Sequence, residues 1–454
     1  MTGDAAQSPE KPAGRDGPPR RLILCLDGTW NTSSAATITN IVRLRDMLKP
    51  GDVGGIEQRI YYDEGVGTLD DKFTGGALGI GLDRNVRQAY RFLSQFYDPG
   101  DEIYIFGFSR GAFTARSLAG YIGASGLLTR EHCTPELEER AWANYRVDGK
   151  DRYPSETLFL SGRCHKNLRI NVLGVFDTVG SLGVPISFAN SWNRRHFEFH
   201  DTKLSSIIDV SLHALAIDER RGPYAPALWE VPQHASYVTV EQVWFAGAHS
   251  DIGGGYIDGS IGALTLDWML RRIKGLNEKN KKRPLVLRDG ELEALEPDAL
   301  GVIHDSSAAG WINKFYSSRI RVLAQQRPAV GHGVELAAMA PHARPLGEHV
   351  HISALKRCGS EGAHEDGVSA YAPLNLLHAL TQMLDPKQHA KRTVSLGFIG
   401  EDGRPLDWVT DATDYAKLEA AMPADYRDRL KAARDAWEPE QPVTPAPRTV
   451  PSSP

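Results

Sequence analysis

The chain has 454 residues, with 52 Lys and Arg against 57 Asp and Glu and a formal net charge of -5. Both signs are interspersed and there is no long basic run, so nucleic acid is not an expected partner; Lys279-Asn280-Lys281-Lys282-Arg283 reads as a solvated loop. The four cysteines are scattered without a C-x-x-C pair, which indicates neither a zinc site nor a disulfide framework and suits a reducing compartment.

Residues 1–20 are rich in Pro, Gly, Asp and Lys and lack the apolar core of a secretion signal, so a disordered tail is expected there. No run of about 18 apolar residues occurs, which removes a helical membrane span and leaves a cytoplasmic location as the expectation. The first apolar run, Leu22 to Leu26, ends at Asp27-Gly28-Thr29-Trp30-Asn31. Leu82, Val86, Tyr90, Leu93 and Phe96 then recur at spacings of three and four, predicting a helix from Asp83 to Tyr97 that Asp98-Pro99-Gly100-Asp101 stops. A second run, Ile103 to Phe106, leads through Gly107-Phe108-Ser109-Arg110-Gly111 into the helical pattern Ala112 to Ala119. Two more runs follow, Ile170 to Phe176 before Asp177-Thr178, and Val243 to Ala246 before Gly247-Ala248-His249. Leu266, Met269, Leu270 and Ile273 repeat the helical spacing.

Short, continuously apolar runs suit strands buried on both faces of a parallel sheet, and their alternation with helices predicts a doubly wound, mostly parallel α/β fold. The core is expected over 21–275. Polar, Gly- and Pro-broken sequence over 276–340 reads as an insertion or cap. Val350-His351-Ile352 and Leu374 to Leu384 supply a last strand and helix within 341–390. A C-terminal extension over 391–437 precedes a Pro-rich tail, 438–454.

In such a sheet the functional groups collect at the carboxyl ends of the strands. A G-x-S-x-G turn between strand and helix lifts a serine Oγ clear of the sheet at the positive end of the helix, which makes Ser109 the candidate nucleophile and the fold one of the α/β-hydrolase type. A serine hydroxyl needs a base and a carboxylate that fixes the base. The order Ser, acid, His is met by Asp177 and His249, each at a strand end, with His351 as the alternative base. Backbone N–H donors for an oxyanion are expected from Arg110, after the serine, and from Gly28 and Thr29 in the loop after the first strand. Asp27, Asp177, His249 and Asp251 offer a second chemistry, since carboxylates and imidazole can hold a divalent metal; Asp27 and Asp251 are its distinctive members. A metal does not account for the serine elbow, and the chemistry calls for no cofactor.

Five segments together carry a resemblance: Leu26-Asp27-Gly28-Thr29-Trp30-Asn31, Gly107-Phe108-Ser109-Arg110-Gly111-Ala112-Phe113, Gly174-Val175-Phe176-Asp177-Thr178-Val179-Gly180, His213-Ala214-Leu215-Ala216-Ile217-Asp218-Glu219-Arg220 and Gly247-Ala248-His249-Ser250-Asp251-Ile252-Gly253-Gly254-Gly255-Tyr256. In this order, over Arg21 to Leu384, the chain resembles an α/β-hydrolase-like family whose best understood members are phospholipase effectors of bacterial type VI secretion. The resemblance implies Ser109 as nucleophile, Asp177 as acid and His249 as base, with the His213 to Arg220 block a core element. The large region with which such effectors approach a membrane has no counterpart in this sequence. The expected substrate is therefore a small-molecule or lipid ester, with peripheral membrane contact as a further expectation. The apolar loop Val179 to Ile186 could touch lipid or pack as core or lid. Oligomeric state is not legible.

Overall fold

The computed structural model describes residues 18–28, 38–65, 75–179, 204–229, 239–280, 284–306, 318–324, 347–364, 367–384 and 396–406, together with a few isolated positions. The expected tails over 1–17 and 438–454 lie outside these residues. Arg20, placed in the N-terminal tail by composition, is instead folded in. Its guanidinium is buried against Asp98 at 2.6 Å and Asp101 at 2.8 Å.

Among the described residues nine strands form one sheet. In chain order they are β1 (Arg21–Leu26), β2 (Gly51–Val53), β3 (Ile56–Asp63), β4 (Glu102–Phe108), β5 (Ile170–Phe176), β6 (Ile208–Ala216), β7 (Thr239–Phe245), β8 (Glu348–His351) and β9 (Gly397–Ile399). Their spatial order is β9-β8-β7-β6-β5-β4-β1-β3-β2. Every pairing is parallel except that of the edge strand β2 with β3. From β1 the chain winds toward β3 in one direction and, from β4 onward, in the other. The switch point therefore lies between β1 and β4, where a doubly wound sheet opens a crevice at its carboxyl edge.

The apolar runs are explained by burial on both sides. Leu22, Leu24 and Leu26 of β1 pack with Val86, Tyr90 and Leu93 of α2 (Gly75–Phe96) and with Ala115 and Leu118 of α3 (Arg110–Ser125). The intervening Ile23 and Cys25 face Ile41 and Leu44 of α1 (Asn40–Met47) and Leu266, Met269 and Ile273 of the helix Ser260–Lys279. A strand with two apolar faces cannot alternate. A third cluster, including Trp244, Val350, Leu376, Leu380 and Phe398, fills the β7 to β9 end. No helix among the described residues is long and apolar enough to cross a membrane.

Sequence patterning places β1, β4, β5, β7, β8 and the helices Gly75–Phe96, Arg110–Ser125, Ser260–Lys279 and Leu374–Leu384, and misses α1, β2, β3, β6 and β9. The first part of 276–340 packs against the core. The helix Ser260–Lys279 runs into this stretch, Gln58 Nε2 donates to the Val286 carbonyl at 2.9 Å, and Arg288 N–H donates to the Met47 carbonyl at 2.7 Å.

Candidate active site

The ends of β1, β4, β5 and β7 contribute residues on the same edge of the sheet as the switch point. β4 passes directly through Ser109 into α3, and Ser109 adopts φ 57° and ψ -118°. That conformation is strained for a residue with a Cβ. It is latched by Ser109 N–H donating to the Phe176 carbonyl at the end of β5, 3.2 Å. The helix that follows must lie very close to β1: a Cβ on Gly111 would fall 2.0 Å from the Leu26 carbonyl oxygen, so only glycine fits. Gly28, two residues past β1, approaches less closely from the other side, with a Cβ there 3.2 Å from that of Ser109.

Asp177 leaves β5 at φ 36° and is fully buried. His249 follows β7 as the first residue of a short helix, His249–Gly253. These turns bring three side chains into one line. Ser109 Oγ–H donates to His249 Nε2 at 2.9 Å, and His249 Nδ1–H donates to Asp177 Oδ2 at 2.7 Å. The protonation pattern follows from charge: an ionised Asp177 accepts only, so Nδ1 carries the proton and Nε2 keeps its lone pair toward the serine. Burial works to raise the Asp177 carboxyl, but the Arg321 guanidinium and the His249 hydrogen bond outweigh it and hold it well below the usual carboxylate range. Burial also lowers the His249 imidazole, outweighing the opposing pull of Asp177, so the ring is neutral near pH 7.

The surrounding frame joins residues of the quoted segments to others that sequence reasoning did not single out, Arg321, Arg221, Tyr224 and Ser306. Arg321 Nη1 and Nη2 donate to Asp177 Oδ1 and Oδ2 at 2.6 and 2.9 Å, and Ala216 N–H adds a bond to Oδ1 at 3.0 Å. Glu219, nearly fully buried, accepts from His249 N–H at 3.2 Å, from Ser306 Oγ–H at 2.9 Å and from Arg221 at 2.9 Å. Tyr224 and Phe108 flank the His249 ring at 5.0 and 4.8 Å between centroids. His213 of β6 accepts from Thr178 N–H at 3.0 Å and so shapes the turn that carries Asp177.

Other expected residues fall differently. The Gly28 N–H, expected to face an oxyanion, instead donates to Asp27 Oδ1 at 2.7 Å. Thr29 lies outside the described residues, as do residues 180–186 of the apolar loop. Arg110 opens α3, where helix geometry leaves its N–H without an intrahelical acceptor. Its side chain is half-buried, and burial pulls the guanidinium down to about 10. His351 is not at the serine: its Nδ1 meets Ser353 Oγ at 2.8 Å and its ring stacks on Phe245 at 4.7 Å.

Asp27 and Asp251 do not converge on a common ion position. Asp27 Oδ2 accepts from Thr39 Oγ1–H at 2.7 Å and from the Tyr62 hydroxyl at 3.2 Å. Asp251 meets His304 Nδ1 at 2.7 Å and accepts from Ala248 N–H at 2.8 Å, which caps the short helix. Among the described residues no group of three His, Cys, Asp or Glu is placed to hold a metal ion.

Comparison with known proteins gives three kinds of relative. An uncharacterised protein of Saccharomyces cerevisiae is 31% identical over 255 residues, covering 48% of this chain and 36% of that one. An uncharacterised protein from Pseudomonas aeruginosa, known from its crystal structure, is 17% identical with a TM-score of 0.37, covering 62% of this chain and 48% of the other. The Tle1 effector, solved bound to the VgrG spike of the type 6 secretion system, is 21% identical with a TM-score of 0.33, covering 53% and 52%. The chain thus spans about a third to a half of the length of these relatives. The family model for the catalytic domain of Tle1-like type VI secretion phospholipase effectors matches residues 20–272, more than half of the sequence, and the chain belongs to that family.

Proposed function

We propose that the protein is a serine hydrolase that cleaves a carboxylic ester of a phospholipid, with Ser109 as nucleophile, His249 as general base and Asp177 as the carboxylate that orients it. The observation that carries this reading is the hydrogen-bonded line from Ser109 Oγ through His249 to Asp177, at 2.9 and 2.7 Å. In the reaction Oγ attacks the acyl carbon while its proton passes to His249 Nε2. The tetrahedral intermediate then expels the alcohol, which takes that proton as the ester C–O bond breaks. Water, deprotonated by the same nitrogen, attacks the acyl-enzyme, releasing the fatty acid and restoring Ser109. The Arg110 N–H and the Thr29 N–H are the proposed oxyanion partners, and no organic cofactor takes part.

Phospholipid as the substrate rests on family membership and on charge. The Arg110 guanidinium sits at the residue after the nucleophile, suited to a phosphate beside the scissile ester. Peripheral lipid contact is consistent with exposed Ile38 and Ile257, which lie on the segments joined by the Thr39 to Gly254 bridge just past the His249 helix. A fluorophosphonate probe tests the central claim: it should label the purified protein, and Ser109→Ala should remove labelling and ester hydrolysis together. Labelling that survives in Ser109→Ala would overturn the reading.

A further inference from the structure

The acid of the proposed triad is held by an arginine that lies beyond the stretch matched by the family model, 20–272. Arg321 is almost completely buried. Its two terminal nitrogens grip both oxygens of Asp177, and each also donates to a backbone carbonyl, Nη1 to Ala216 at 2.9 Å and Nη2 to Tyr224 at 2.6 Å. A guanidinium bonded on both arms to carboxylate and main chain is fixed in plane, and it fixes the carboxylate in turn. Without it Asp177 would keep one backbone donor, Ala216 N–H, and the single bond to His249. The same stretch of chain meets the frame twice more, through Ser306 on Glu219 and His304 on Asp251, at 2.9 and 2.7 Å.

Resting on the triad reading above, we infer that Arg321 is a positioning residue for the reaction: it locks the plane of the Asp177 carboxylate against His249 and balances its charge. The charged and titratable groups around His249 are Asp177, Glu219, Arg221 and Arg321, with the Tyr224 ring beside it. Asp177 and Glu219 favour the imidazolium, while Arg221 and Arg321 favour the neutral base. Removing Arg321 leaves the acids ahead. His249 then holds a proton to higher pH, and a protonated base cannot accept one from Ser109.

The test uses the full chain, with circular dichroism and thermal melting to establish folding, and follows hydrolysis of an uncharged short-chain nitrophenyl ester across pH. Arg321→Met should lower kcat by about 10- to 100-fold with KM little changed. It should also move the acid limb of the kcat/KM profile up by about one pH unit. Arg321→Lys keeps the charge and loses the fork, so its acid limb should stay near the wild-type position while kcat remains reduced. A folded Arg321→Met with wild-type kcat and acid limb would overturn the inference. Should Arg321→Met not fold, a wild-type kcat in Arg321→Lys does the same. Collapse of both variants would make Arg321 a folding residue and also overturn it. Ser109→Ala run alongside separates the two readings: surviving probe labelling there defeats the triad, whereas a silent Arg321→Met beside an unlabelled Ser109→Ala defeats this inference alone.

Discussion

Two histidines end strands on the same sheet edge, and their surroundings give them different work. His249 has a carboxylate on one nitrogen and a serine hydroxyl on the other, whereas His351 has Ser353 and the face of Phe245, with burial pushing its imidazole down to about 3. If the proposed mechanism holds, His249→Ala removes the base from a group that acts as a unit, and kcat should fall by about four to six orders of magnitude. His351→Ala should leave kcat within about twofold and cost roughly 1–3 kcal/mol of stability, because it deletes a packed ring far from the serine's partners. Steady-state kinetics and urea melts on the two variants check this, and equal kinetic losses would count against the assignment. The strand-end positions of Ser109, Asp177 and His249 were legible because each follows an apolar run. Arg321 was not, and Glu219 was legible only as part of the His213 to Arg220 block, without its contact to His249. Arg321 joins Asp177 across 144 positions from an irregular segment, and no local pattern distinguishes such an arginine from a surface one.

Elements were legible where one force dominates. β1, β4, β5 and β7 stand between two helical layers and are apolar along most of their length, so the pattern shows them. β6 is equally buried but carries Asp209, Ser211 and His213 at alternate positions, which breaks the apolar run; Ser211 and His213 are both buried, and His213 accepts from the Thr178 N–H in the turn that carries Asp177. β3, toward the sheet edge, holds Glu57, Gln58 and Arg59 and reads as polar. The β4 to α3 junction makes the sharpest demand on sequence. Gly111→Ala would place a methyl group 2.0 Å from a main-chain oxygen of β1, and backbone cannot yield as a side chain would. The helix must back away from the sheet, taking Ser109 with it. Expected are a stability loss of about 3 kcal/mol or more and a large fall in probe labelling even in the protein that remains folded. A fully stable, fully labelled Gly111→Ala would show that the α3 to β1 approach is looser than described.

Across the whole molecule, buried titratable groups oppose one another as pH falls. His213 and His351 are each pushed from 6.5 to about 3 by burial, and His249 is lowered as well. For these the unfolded chain binds the extra proton, so their contribution is complete above about pH 6.5 and is lost on acidification. Two buried carboxyls run the other way: Asp218 is raised from 3.8 to about 6 and Glu348 from 4.5 to about 7, burial being the main cause in both. Here the folded state holds the extra proton, and stability is lost as pH rises through those values. Between about pH 4.5 and 6 the buried histidines and the two carboxyls therefore work against each other, and stability changes less with pH than either set alone would make it. As pH falls below about 3.8 the unfolded carboxyls protonate as well and their opposition fades, while the histidines still act and Asp177 begins to lose its ion pair, so the slope should steepen. Urea midpoints measured from pH 3.5 to 8 should trace this bend. Glu348→Gln removes one of the opposing protons. Relative to wild type it should gain stability steadily from about pH 4.5 to 7, whatever fixed cost the amide brings to its place beside Trp244 Nε1 and Ala324 N–H. Parallel curves for the two proteins would mean that Glu348 is ionised in the fold.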